Sequence, residues 1–135
     1  MKKDIEIPKV ADVHIAAVKE IGEDLEEVWN VYLINQQRRP LEKVLIASTG
    51  YKKDPVGHQK ERSSTLRHFF EVIPAQSSQK IEPIIEEVFH LNNEYFVTFF
   101  TPDGLHEKKF VFLPETIQVQ NFTVIPLLNK KGVLI

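Results

Sequence analysis

The chain contains no cysteine. This excludes disulfides, a thiol nucleophile and any cysteine-ligated metal site, and it suits a reducing cytosol without demanding one. Glycine is sparse: the five glycines, at 22, 50, 57, 104 and 132, form neither a phosphate loop nor a dinucleotide fingerprint. An excess of one charge is also missing. Seventeen basic and nineteen acidic side chains leave a net charge of −2, which offers no global attraction to nucleic acid or to an anionic membrane. No apolar run approaches the ~18 residues needed to span a bilayer. Lys2 and Lys3 at the start are followed by Asp4, Glu6 and Asp12, which is not the pattern of a secretory signal. A cytoplasmic location is therefore the default expectation.

What is present is ordinary globular material. The 135 residues are 42% apolar and 27% charged, with nine phenylalanines, three tyrosines and one tryptophan, enough for one packed domain over residues 1–135. The organising stretch is Asn92–Leu113, NNEYFVTFFTPDGLHEKKFVFL. Two strand-like runs, Glu94–Thr101 and His106–Leu113, flank Thr101-Pro102-Asp103-Gly104. Proline presets the first turn dihedral, aspartate bonds its own downstream backbone, and glycine accepts positive φ. Tyr95, Val97 and Phe99 share one face, and Phe96, Thr98 and Phe100 the other. A strand apolar on both faces is expected to be central and covered on both.

Elsewhere, Ile5–Val18 reads as a first strand interrupted near Pro8. Glu20–Glu27 carries five acids and no base and reads as a solvated connection or one acidic helical turn. Val28–Asn35 and Leu41–Thr49, joined by polar Gln36–Pro40, predict a hairpin. Gly50–Ser64 has no apolar periodicity and contains Gly50, Pro55 and Gly57, so it reads as a long loop. Leu66–Pro74 alternates as a strand. Lys80–Ile85 reads as a short strand, but Pro83 and the stripe Ile84, Ile85, Val88, Phe89 and Leu91 fit a short helix equally well. Thr116–Leu128 reads as the last strand.

The many short strands separated by polar turns predict an all-β fold: an antiparallel immunoglobulin-like sandwich of about seven strands, with at most one short helical turn. In that ordering the segment before the Asn92–Leu113 hairpin crosses between sheets. Tyr95 stands near the corner position such folds use. The expected buried centre is Trp29, Phe99 and Phe110.

Motifs for chemistry are wanting. His14, His58, His68, His90 and His106 have no ligand spacing, and there is no HExxH. Ser48 and Thr49 precede Gly50 without a nucleophile elbow. Glu86 and Glu87 are adjacent and point apart. No cofactor, metal or catalytic residue is therefore expected. The one local asymmetry is Gly50–His68, where Lys52, Lys53, Lys60, Arg62 and Arg67 stand against Asp54 and Glu61, a net +3. Beside Tyr51, Ser63 and Ser64 these cations are candidates for holding a phosphate or nucleic acid. The plainer reading is a solvated loop, and the aromatic interleaving of a single-strand platform is missing.

The end of the chain is unusually apolar. Phe122, Val124, Ile125, Leu127 and Leu128 precede Val133-Leu134-Ile135, so the segment is expected to dock. It docks either within the monomer, or by pairing residues 119–128 as an edge strand with a second copy, in a short ladder because Pro126 lacks a donor.

The segments MKKDIEIPKV, VHIAAV, LNNEYFVTFF, KKFVF and IPLLNKKGVLI resemble a small bacterial family of single-domain proteins of about this length. Some members carry the label of a phenylalanyl-tRNA synthetase subunit. The resemblance implies a family-sized domain and no catalytic residues. A class II synthetase core needs a Gly-x-Gly-x-x-x-Arg stretch, and no two glycines here are two apart. The sequence as a whole leads to a cytoplasmic binding or interaction module with a protein partner. The alternative is an accessory protein that binds RNA or a phosphate ligand through residues 51–67.

Overall fold

A computed structural model describes residues 9–135, so the Ile5–Pro8 part of the expected first strand lies outside the described residues. Ten strands are described: β1 (Val13–Ile21), β2 (Glu27–Asn35), β3 (Leu41–Lys53), β4 (Gln59–Arg62), β5 (Leu66–Ile73), β6 (Ser77–Ile84), β7 (Asn92–Thr101), β8 (Gly104–Phe112), β9 (Thr123–Ile125) and β10 (Lys130–Leu134). They form two antiparallel sheets. One has the order β6-β2-β1-β10-β9. In the other, β4 and β5 lie end to end along one edge of β3, followed by β7 and β8. This is an all-β sandwich.

β7 is an interior strand, between β3 and the edge strand β8, and its inner face is buried as its alternation predicts. Thr101 pairs with Gly104 across the Pro102–Asp103 turn, and Gly104 takes φ +110, which only glycine adopts without strain. Tyr95, Val97 and Phe99 are buried and join Trp29, Phe110 and Phe112 in the core between the sheets. Trp29 meets Phe89 and Phe122 edge-to-face at 5.5 and 5.7 Å. The opposite face of β7 departs from expectation. Phe100 is 44% exposed, and Phe96 and Thr98 are only half-buried. The outer face of this sheet is apolar yet open.

Four local expectations change. Val28–Asn35 and Leu41–Thr49 do not form a hairpin: β2 pairs with β1 and β6, whereas β3 pairs in the other sheet. Asn35, fully buried, fixes this corner by donating to the Arg39 carbonyl at 3.1 Å and the Pro74 carbonyl at 2.9 Å. Gly50–Ser64 is no structureless loop, because β3 runs on to Lys53 and β4 returns beside it. At its tip the Asp54 carboxylate accepts from the amides of Val56 and His58 at 3.1 and 2.7 Å, an Asx-type turn closed by Gly57 at φ +90. Pro83 sits in a strand opposite Asn30, and within the segment 80–91 the one helical turn is Glu86–Val88, of the 3₁₀ kind. The crossing from β6 to β7 through that turn, between the sheets, is as expected.

The last change concerns Thr116–Leu128, which holds a 3₁₀ turn, Val119–Asn121, and the three-residue β9. The long strand near the end is β10, built from the expected tail. It enters the sheet between β1 and β9, so the apolar end docks within the monomer.

Candidate functional site

β3 and β7 place Ser48 and Tyr95 side by side on the inner face of their sheet. β5 adds Leu66 beside Ser48 and His68 one pair further along. Opposite them β6, the edge strand of the other sheet, brings Glu82. The result is a cleft of about 410 Å³ between the sheets, lined by Ser48, Leu66, Glu82, Ile84, Val88 and Tyr95 among others. Among the described residues no lysine or arginine lines it.

Glu82 is the chemical feature of this cleft. Its side chain is only 10% exposed, and three groups hold it. Ser48 donates to Oε1 at 2.8 Å, Tyr95 donates its hydroxyl to Oε2 at 3.0 Å, and His68 Nε2 lies 2.7 Å from Oε1. A carboxylate withdrawn from water is costly unless it is hydrogen-bonded, and here both oxygens are. Burial pushes the Tyr95 phenol well above its usual range, and the neighbouring Glu82 charge adds to the effect. Tyr95 therefore remains a neutral donor. In a corner of the usual kind such a tyrosine bonds to backbone; here it bonds to a side chain.

Serine, histidine and a carboxylate together invite comparison with a hydrolase triad, but the connectivity differs. In a triad histidine stands between serine and the acid. Here Ser48 and His68 both turn to Glu82, so the serine donates directly to the acid and no histidine stands between them.

The five cations singled out from the sequence are all exposed. Lys52 and Lys53 end β3, Lys60 and Arg62 lie on β4, and Arg67 begins β5 beside Ala47. The hairpin brings some of them together and separates others. Lys53 Nζ stands 5.4 Å over the Tyr51 ring, and Tyr51 pairs with Arg62. Lys52 is opposite Glu61, and Lys60 Nζ is 3.8 Å from Asp54. Arg67 stays apart on the next strand. Burial raises the Tyr51 phenol, and Glu94 raises it further. The cations are thus interleaved with acids rather than gathered into one field.

The histidines do not converge. His14 reaches the Ile135 carbonyl, His58 lies beside Asp54, His90 beside Glu61, and buried His106 bonds Thr101 Oγ1 at 2.8 Å. Among the described residues no group of three or more histidines and acids is placed to hold a metal ion. A second polar cluster lies on the other sheet, on β1, β2 and β10. There Glu20 accepts from Asn30 at 2.9 Å and Tyr32 at 2.6 Å and pairs with Lys130.

No protein-family model matches the chain, and no curated protein is significantly similar to it. Among the described residues no helix is long and apolar enough to cross a membrane.

Proposed function

We propose that this protein is a binding module whose ligand carries a cationic head, an ammonium or guanidinium, on an apolar body. The observation that carries this reading is Glu82, a carboxylate fixed by three side chains in a largely apolar cleft that no described lysine or arginine lines. Ligand sites combine an apolar wall with a few placed polar groups, and here the wall is Leu66, Ile84 and Val88. A cation gains most from a carboxylate that is already ordered and partly desolvated, because little reorganisation remains to be done. The absence of the serine–histidine–acid connectivity of a triad supports binding over catalysis. We propose a cytoplasmic setting, in keeping with a chain that has no cysteine to oxidise.

Calorimetric titration with n-hexylammonium, against hexanoate of the same chain length, tests the reading. Binding of the amine alone, weakened at least tenfold by Glu82→Gln, supports it. Equal binding of both probes, or no effect of Glu82→Gln, rejects it.

A second reading rests on Tyr51, Lys53 and Arg62, an aromatic ring flanked by two cations on an exposed ribbon, where a nucleic-acid base and phosphate would both find partners. It requires binding to single-stranded RNA that falls steeply with salt. Salt-independent or absent binding eliminates it.

A further inference from the structure

An exposed strand edge is a template for pairing, and proteins blunt such edges with lysines, prolines or brevity. Among the described residues the edges differ sharply in this respect. β6 carries Lys80 and Pro83, β9 has three residues and is followed by Pro126, and β8 has Glu107, Lys108 and Lys109 along its middle. β4 is Gln-Lys-Glu-Arg and wholly exposed. β5 has none of these devices. Its eight residues, LRHFFEVI, include no lysine, proline or glycine, and it pairs only with β3. Leu66, Phe69 and Val72 are 52%, 58% and 47% exposed, a high proportion of large apolar surface for one strand.

The order of side chains along β5 is self-complementary. Arg67 and Glu71 stand two residues to either side of Phe69, all three exposed, while His68 and Phe70 between them are half-buried. We infer that β5 pairs antiparallel with β5 of a second copy, with Phe69 on the two-fold axis. In that register each Arg67 lies opposite the partner's Glu71, and the two Phe69 rings meet. Directly opposed residues of an antiparallel pair share a face, so both ion pairs form on the same side as the Phe69 contact. The pairing joins two five-stranded sheets into one. It also continues the apolar outer face, since Phe69 neighbours Leu45, and Val72 lies in a row with Glu42, Phe100 and Leu105. A two-fold contact of this kind closes on itself and does not propagate.

The contact is small. One strand a side buries less than the ~800 Å² per partner of a standard interface, so a dissociation constant of roughly 1–100 µM is expected. Arg67 and Glu71 lie outside the Glu82 cleft, so the inference is independent of the ligand reading.

Mass in solution, measured by sedimentation from about 1 to 300 µM, tests the pairing. The native chain should pass from monomer to dimer. Arg67→Glu and Glu71→Arg should each stay monomeric, because each sets like charges opposite one another. An equimolar mixture of the two variants should dimerise again, as should the Arg67→Glu/Glu71→Arg double variant. A native chain that stays monomeric throughout overturns the inference. So does a dimer that persists in both single variants, or a mixture that does not recover. Recovery on mixing itself requires folded variants, so it separates lost pairing from lost fold.

Discussion

Ile135 and Ile15 form a closed pair of backbone hydrogen bonds: the Ile135 amide donates to the Ile15 carbonyl at 2.9 Å, and the Ile15 amide donates to Ile135 at 3.2 Å. Residues at the two ends of the described chain are thereby locked together in one sheet. The approach of β10 to β1 is close at Gly132. A Cβ added to Gly132 would stand 2.4 Å from the Ala17 carbonyl oxygen, a backbone atom that cannot swing away. Deleting Val133–Ile135 should therefore lower the urea midpoint clearly, while the monomer mass at low micromolar concentration stays unchanged. Gly132→Ala should destabilise as well, through backbone displacement. An unchanged midpoint in both variants would mean that β10 contributes nothing to the fold.

Phe99 is 1% exposed and stacks on His106 with ring centroids 5.1 Å apart. Phe99→Ala should cost about 3–5 kcal/mol as a cavity substitution. The single tryptophan, buried Trp29, provides the readout, since its fluorescence should shift on unfolding. A midpoint equal to that of the native chain would show that the β7–β8 hairpin is not the centre of the core.

Acid sensitivity should trace in part to Glu20. Burial pushes its carboxyl up, but hydrogen bonds from Lys130, Tyr32 and Asn30, with the Lys130 charge, outweigh that and hold it below the usual carboxylate value. The same contact, added to burial, pushes Tyr32 up to about 12. A carboxylate with a lowered folded-state value stabilises fully above its unfolded value, and that stability is lost as pH falls through the folded one. Glu20→Gln should thus cost about 1–3 kcal/mol near neutrality. The difference from the native chain should shrink on acidification below the ordinary glutamate range. A difference that stays constant down to pH 2 would remove Glu20 from the acid transition.

The basic hairpin should be the first point of proteolysis. β4 is exposed at all four positions, and Lys52 and Lys53 before it are exposed too. Limited trypsin digestion should open the chain at Lys52, Lys53, Lys60 or Arg62 before any other site. First cuts at Lys108, Lys109 or Lys131 instead would place the weakest part of the fold elsewhere.

Much of the architecture was legible where the signal is local. Pro102-Asp103-Gly104 marks its own turn, and the alternation from Tyr95 to Phe100 separates the core face from the outer one. The fold is not legible where the deciding partner is remote. Gln36–Pro40 has the length of a hairpin loop, but Asn35 bonds to Pro74, 39 residues away, and turns the chain into the other sheet. The segment Lys130–Leu134 resembles a tail because its partner strand, β1, lies at the other end of the described chain. The cleft was illegible for the same reason. Ser48, His68, Glu82 and Tyr95 come from four strands with no spacing rule between them, and only the β3–β7 and β3–β5 registers and the placement of β6 assemble them. The cations of residues 52–67 were visible as a run, but the run did not reveal that Asp54 and Glu61 would be interleaved among them.

The most direct measurement is a titration of uniformly ¹⁵N-labelled protein with n-hexylammonium, followed amide by amide. The proposed cleft predicts that the largest shifts fall at Ser48, Leu66, Glu82, Ile84, Val88 and Tyr95, and that Glu82→Gln abolishes them. Shifts confined to the acidic turn at Glu23, Asp24 and Glu26, or none at any amide, would contradict a cation site at Glu82.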